Sequence, residues 1–144
     1  MIQSFQTKRV ILGNKNRIFL GIITSQILHY HRNIFNQNRL VISKKKAEKI
    51  KLAHPTQAKY IYEYKFQELL DTTVATCNYK EDGITNFIAF NGEFYILYGI
   101  SVNNYHNELS TVFKPSIRQL IKCKRDMKFF TKKDKNEFEN YIKN

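Results

Sequence analysis

The pair Asn91-Gly92 stands between two apolar runs, "ITNFIAF" and "EFYILYGISV". Asn and Gly both tolerate the positive φ that a tight hairpin turn demands. An Asn-Gly pair between runs rich in β-branched and aromatic residues therefore predicts two antiparallel neighbours in one sheet. The meander extends on both sides. "TVATCNY" precedes it behind a Glu-Asp-Gly turn, and "LSTVF", residues 109 to 113, follows the polar loop "NNYHNE".

Upstream the period changes. Ile18, Phe19, Ile22, Ile23, Ile27 and Tyr30 recur at helical spacing. They predict a helix from about Asn16 to His31, although Gly21 costs roughly 1 kcal/mol against alanine there. "RVIL" at 9 to 12 reads as a short strand, and "RLVI" at 39 to 42 as a strand or an extended approach. Ser43 is a good N-cap for a helix from Lys44 to about Ala53. His54 precedes a proline and is biased away from helix. A third helix is expected from Thr56 to about Leu70, with Tyr62, Phe66, Leu69 and Leu70 as its apolar face. Downstream, Ser116 caps a helix from Ile117 to about Lys124. Thr131 with Asp134 predicts a last helix to Ile142. The reading is one α+β domain over 1–144. A strand and a helix occupy 1–35, four antiparallel strands form the sheet, and 125–144 is a tail helix.

The chain has 144 residues, of which 42% are hydrophobic, enough for one packed core. Its 24 Lys+Arg against 12 Asp+Glu leave a net charge of +12. Such an excess repels itself, and a polyanionic partner is the usual reason for it, nucleic acid before membrane. The charge is segregated. No lysine or arginine occurs from Glu81 to Phe113, while basic residues gather at 44–51 and 114–135. Cys77 and Cys123 have no disulfide-framework or zinc spacing. No apolar run approaches the ~18 residues of a membrane span, and the start has no signal-peptide pattern. These features predict a cytoplasmic protein with no membrane partner.

Lys44, Lys45 and Lys46 fall in the first turn of the expected helix, where the macrodipole disfavours cations by ~0.3–1 kcal/mol each. An anion at that point reverses the sign, because N–H groups and ammonium groups then converge on it. His54, at the other end, carries an imidazole that could shuttle a proton.

"KIKLAHP", a tyrosine-containing helix, a strand meander, "STVFKPS" and a basic tail together resemble the phage-associated branch of the barnase–EndoU–colicin–RelE ribonuclease superfamily. The resemblance spans roughly residues 20 to 130. That branch carries His-Ile, two further positions and Lys-His-Pro on a helix, and a hydroxyl residue on a later strand. Here Ile50, His54 and Pro55 match, and Thr111 matches the hydroxyl position. Lys49 stands where the first histidine would be, and Ala53 where the lysine would be. The resemblance implies a RelE/barnase-like fold, with N-terminal helices on a four-stranded antiparallel sheet. It also implies metal-independent endoribonuclease activity.

In that chemistry a 2′-OH attacks the adjacent phosphate, leaving a cyclic phosphate and a free 5′-OH. His54 is the expected acid or base, with His106 in reserve. Lys49, with Lys46 or Lys51, would stabilise the phosphorane, and Thr111 or Ser110 would hydrogen-bond the phosphate. Lys44, Lys45, Lys114, Ser116, Arg118 and Lys122 would bind the RNA backbone. No metal or cofactor is expected. Tyr95 and Tyr98, three apart on a strand, point to opposite faces, so at most one can stack a base.

Two functions follow. One is an RNA-cleaving toxin or phage effector, with a protein antitoxin as its natural partner. The other is a catalytically degraded relative that binds RNA or a nucleic-acid-processing enzyme, as a phage-type inhibitor such as an anti-CRISPR would. A DNA-binding regulator ranks last, because no helix-turn-helix pattern stands out. Convergence of His54, Lys49 and Thr111 on one phosphate-sized space favours cleavage, and their separation favours binding.

Overall fold

The computed structural model describes residues 16–30, 38–77, 83–102 and 106–143. The strand expected at 9–12 lies outside the described residues, as does His31.

The Asn-Gly hairpin forms. β4 (Ile84–Phe90) runs antiparallel to β5 (Tyr95–Val102), with Ile84 opposite Ser101 and Phe90 opposite Tyr95. The connection takes four residues rather than two. The Asn91 side-chain oxygen accepts from the N–H groups of Glu93 and Phe94, both at 2.9 Å, and Gly92 takes φ +98°. β3 (Thr73–Cys77) joins β4, and β6 (Asn107–Phe113) joins β5, both antiparallel.

The expected four-stranded antiparallel sheet is corrected to a mixed sheet of seven strands among the described residues. β1 (Arg17–Ile22), β2 (Arg39–Ser43) and β7 (Lys128–Phe129) complete the order β1-β2-β6-β5-β4-β3-β7. β2 runs parallel to β6, with Leu40 opposite Asn107. Every other pair is antiparallel. The helix expected over 16–31 is mostly strand. Ile18, Phe19, Ile22 and Ile23 fit either period, but a paired partner at 39–43 was available. Pairing seats Leu20 in the core and leaves Phe19 outside. Only α1 (Ser25–Tyr30) is helical, its start bound by Thr24.

The helix expected over 56–70 is broken. α2 (Lys44–Ala53) is followed by α3 (Pro55–Tyr62) and α4 (Phe66–Asp71), and α5 (Ile117–Lys124) and α6 (Lys132–Lys143) close the chain. Between α3 and α4, Lys65 N–H bonds Tyr60 C=O at 3.0 Å and Tyr64 N–H bonds Ile61 C=O at 3.3 Å. These two bonds form a Schellman cap.

Alternate residues of β5 divide the core. Ile96, Tyr98 and Ile100 pack with Ile27, Ala47, Ile50, Ile61, Phe66 and Leu69, from α1 to α4. Tyr95 and Leu97 pack with Leu120, Cys123 and Phe138, from α5 and α6. The sheet thus lies between two helical layers. This arrangement accounts for the lysine-free stretch. β5 is buried from Tyr95 to Ile100 on both faces, and β4 from Asn86 to Ala89, so a charge there would be desolvated without compensation. No helix among the described residues is long and apolar enough to cross a membrane.

Candidate nucleic-acid interface

Ser43 caps α2 as its side chain predicts, accepting from Lys46 N–H at 3.1 Å. At 100° per residue the lysine triplet cannot act as one cluster. Ala47 and Ile50 point into the core. Lys44, Glu48 and Lys51 follow one line of the helix, at i, i+4 and i+7, on one flank. Lys45 points outward and Lys46 is half-buried on the other flank. The Lys51 ammonium lies 5.3 Å from the centre of the Tyr62 ring on α3. Burial, and then the Glu48 carboxylate, raise the Tyr62 pKa. Lys44, Lys45, Lys49, Lys51, Lys59 and Lys65 are all exposed. From 44 to 65 the chain carries seven lysines against two glutamates.

His54 ends α2, its N–H bonded to Ile50 C=O at 2.7 Å, with non-helical backbone (φ −138°, ψ 67°) before Pro55. Its ring is half-buried and stacks on Phe113, 5.6 Å between centroids and 28° between planes. Lys49 is exposed and lies 100° round α2 from buried Ile50. Thr111 is half-buried opposite Gly99, two positions before Phe113, or about 7 Å along the strand. Ser110 is the extra residue of a bulge, between Thr111 opposite Gly99 and Leu109 opposite Ile100. Thus the structure brings His54 towards the strand that carries Thr111 but turns Lys49 towards solvent.

The remaining expected contacts are spread over the molecule. The Lys114 ammonium sits 4.4 Å over the Phe94 ring at the hairpin turn. Ser116 is used as a cap. Its Oγ accepts from Gln119 N–H at 3.1 Å, and Gln119 Oε1 accepts from Ser116 N–H at 2.8 Å. Arg118 and Lys122 are exposed on α5, in the helical layer opposite α2. Tyr95 and Tyr98 are both buried, one against each layer. Tyr98 shares a 2.7 Å hydrogen bond with Thr73, and Tyr95 packs edge-on to Phe138 and Tyr141. Burial pushes the Tyr95 pKa up to about 12.

A second group gathers where β1, β2 and β6 meet. Arg17 Nε donates to Glu108 Oε2 at 3.2 Å. The Arg39 guanidinium lies 4.6 Å over the ring of Phe19, which is 46% exposed. Burial, and then the Arg17 charge, hold the His106 imidazole below its ordinary pKa, with Glu108 pulling the other way. Arg17, Phe19, Arg39 and Glu108 are not among the site residues expected from the sequence. Arg17 and Phe19 lay in a segment read as helix, and Glu108 in one read as loop.

Comparison with family models, with curated proteins and with solved structures finds no match to this chain.

Proposed function

We propose that the chain binds RNA through the lysine-rich outer surface of α2 to α4. The observation that supports this reading is the run of exposed lysines at 44, 45, 49, 51, 59 and 65, outside the layer that covers the sheet. Lysines placed against the α2 dipole cost stability, and a phosphate backbone offsets that cost. Lys49 faces solvent while His54 stacks on Phe113, so binding fits this surface better than a single catalytic centre does.

The test is fluorescence anisotropy with a labelled RNA across 50–200 mM salt. Log K should fall steeply with log salt. Replacing Lys44, Lys45 and Lys51 together by Gln should flatten the slope by about 2, at ~0.7 per phosphate contact on a single strand. An unchanged slope and affinity would sink the proposal.

RNA cleavage is the second reading, and a different observation favours it: Arg17 pairs with Glu108 at 3.2 Å, two residues along the chain from His106. Those three supply an acid–base pair and a phosphate cation without His54. Incubation with RNA in EDTA, beside His54→Ala and His106→Ala, separates the cases. Cutting lost only with His106→Ala supports this second group. Cutting equal in all three proteins removes both histidines from the mechanism.

A further inference from the structure

Tyr64 occupies a backbone conformation that favours glycine. It is the left-handed residue of the Schellman cap of α3, just after Glu63, with φ +57°. A side chain there meets the steric penalty of left-handed backbone, which is why glycine is common at this position. Stability gives no return for this tyrosine. It is 83% exposed, and it belongs to neither core cluster. Strain held at an exposed aromatic residue is a signature of a functional position.

Its neighbours share that character. Tyr62 is 40% exposed and lies beneath the Lys51 ammonium. Leu52, the residue after Lys51, is 86% exposed. Glu63 is paired with Lys65 at 3.4 Å, so one of the two acidic residues in this stretch is partly neutralised. Two exposed rings two residues apart, one of them under the Lys51 ammonium, on a lysine-rich surface match what an unpaired strand presents, base faces joined by phosphates. A duplex hides its base faces and offers phosphates, 2′-hydroxyls and base edges.

We propose that the ligand is single-stranded RNA, with bases stacked on Tyr62 and Tyr64 and the flanking phosphates held by Lys51 and its neighbours. This inference rests on the RNA-binding reading above and narrows it to one form of RNA.

The experiment compares a labelled mixed-sequence 16-mer RNA with the same strand annealed to its complement, both at 150 mM salt. The parent chain should bind the single strand more tightly. Tyr62→Ala and Tyr64→Ala should each weaken single-strand binding roughly tenfold and leave duplex binding unchanged. Tyr64→Phe, which keeps the ring, should bind the single strand like the parent. Tyr64→Gly should lose the same affinity while its thermal midpoint stays at or above the parent's, because glycine relieves the backbone. A lowered midpoint with Tyr64→Gly would assign Tyr64 a structural role and overturn the proposal. Equal binding of single strand and duplex, unaffected by either alanine variant, would overturn it while leaving lysine-dependent RNA binding intact. Binding of neither form would overturn both readings.

Discussion

Gly21 and Gln67 should behave as one unit, and a double-mutant cycle can show it. Gln67 reaches from α4 to the backbone of β1. Its Oε1 accepts from Ile22 N–H at 2.7 Å, and its Nε2 donates to Ile22 C=O at 3.0 Å and to Asp71 Oδ1 at 3.0 Å. The side-chain amide thereby adds to the hydrogen bonding of Ile22 on a strand that, among the described residues, has one neighbour in the sheet order. A Cβ on Gly21 would lie 2.5 Å from Gln67 Oε1 and 3.0 Å from Leu70 Cδ1. Gly21→Ala must therefore push the amide away. That forfeits two hydrogen bonds of about 1 kcal/mol each. At φ +159° the backbone adds roughly 1 kcal/mol more. The expected loss is about 3 kcal/mol, or roughly 9 °C in thermal midpoint. Gln67→Ala loses the same two bonds and the one to Asp71, about 3 kcal/mol in all. The double variant should then cost about 4 kcal/mol rather than 6, a coupling of about 2 kcal/mol. Urea denaturation with a common m-value measures all four proteins. Additive losses would refute the reasoning, because they would mean that Gln67 does not stand where the Cβ must go.

Two further outcomes follow from buried and charged groups. Thr73 donates to Leu69 C=O at 2.7 Å, so its single hydroxyl proton is used and Tyr98 must be the donor in their shared 2.7 Å bond. Tyr98→Phe should cost about 1 kcal/mol, and Thr73→Val more, roughly 2–3 kcal/mol, because it leaves the buried Tyr98 hydroxyl without this partner; the reverse order in urea midpoints would reverse the donor assignment. His106 is held below its ordinary pKa, so the unfolded chain binds its proton first as pH falls. Its contribution is present above about pH 6.5 and is lost as pH falls through the lower folded value. The urea midpoint of the parent should therefore drop more between pH 7.5 and 5 than that of His106→Gln, and a smaller drop would mean that Glu108 outweighs burial and Arg17.

Local chemistry made much of the fold legible. The Asn-Gly pair gave the hairpin, and Ser43, Ser116 and Thr131 each cap the helix expected after them. The losses are where a local pattern is consistent with two structures. "RIFLGI" suits a helix or a strand, and only the distant partner Arg39–Ser43 decides between them. The break at Tyr64 carries no glycine, so the sequence reads through it as one helix. The charge pattern was legible, and the core of its lysine-free stretch falls on the buried centre of the sheet. For the candidate site, the lysines of α2 could be placed on a helix, but not which flank each would take. The pairing of Arg17 with Glu108 needs β1, β2 and β6 side by side, which no local signal encodes.

The parallel pairing of β2 with β6 has a consequence for how the molecule is made. β3 to β6 pair with their sequence neighbours and can form early, because their loops close cheaply. β2 must find β6 nearly half a chain later, with α2, α3 and α4 on the connection between them. During synthesis the lysine helix leaves the ribosome well before the strands that will bury Ala47 and Ile50. The surface that carries Lys44, Lys51, Tyr62 and Tyr64 therefore exists only after the C-terminal half is complete, and partially made chains lack it.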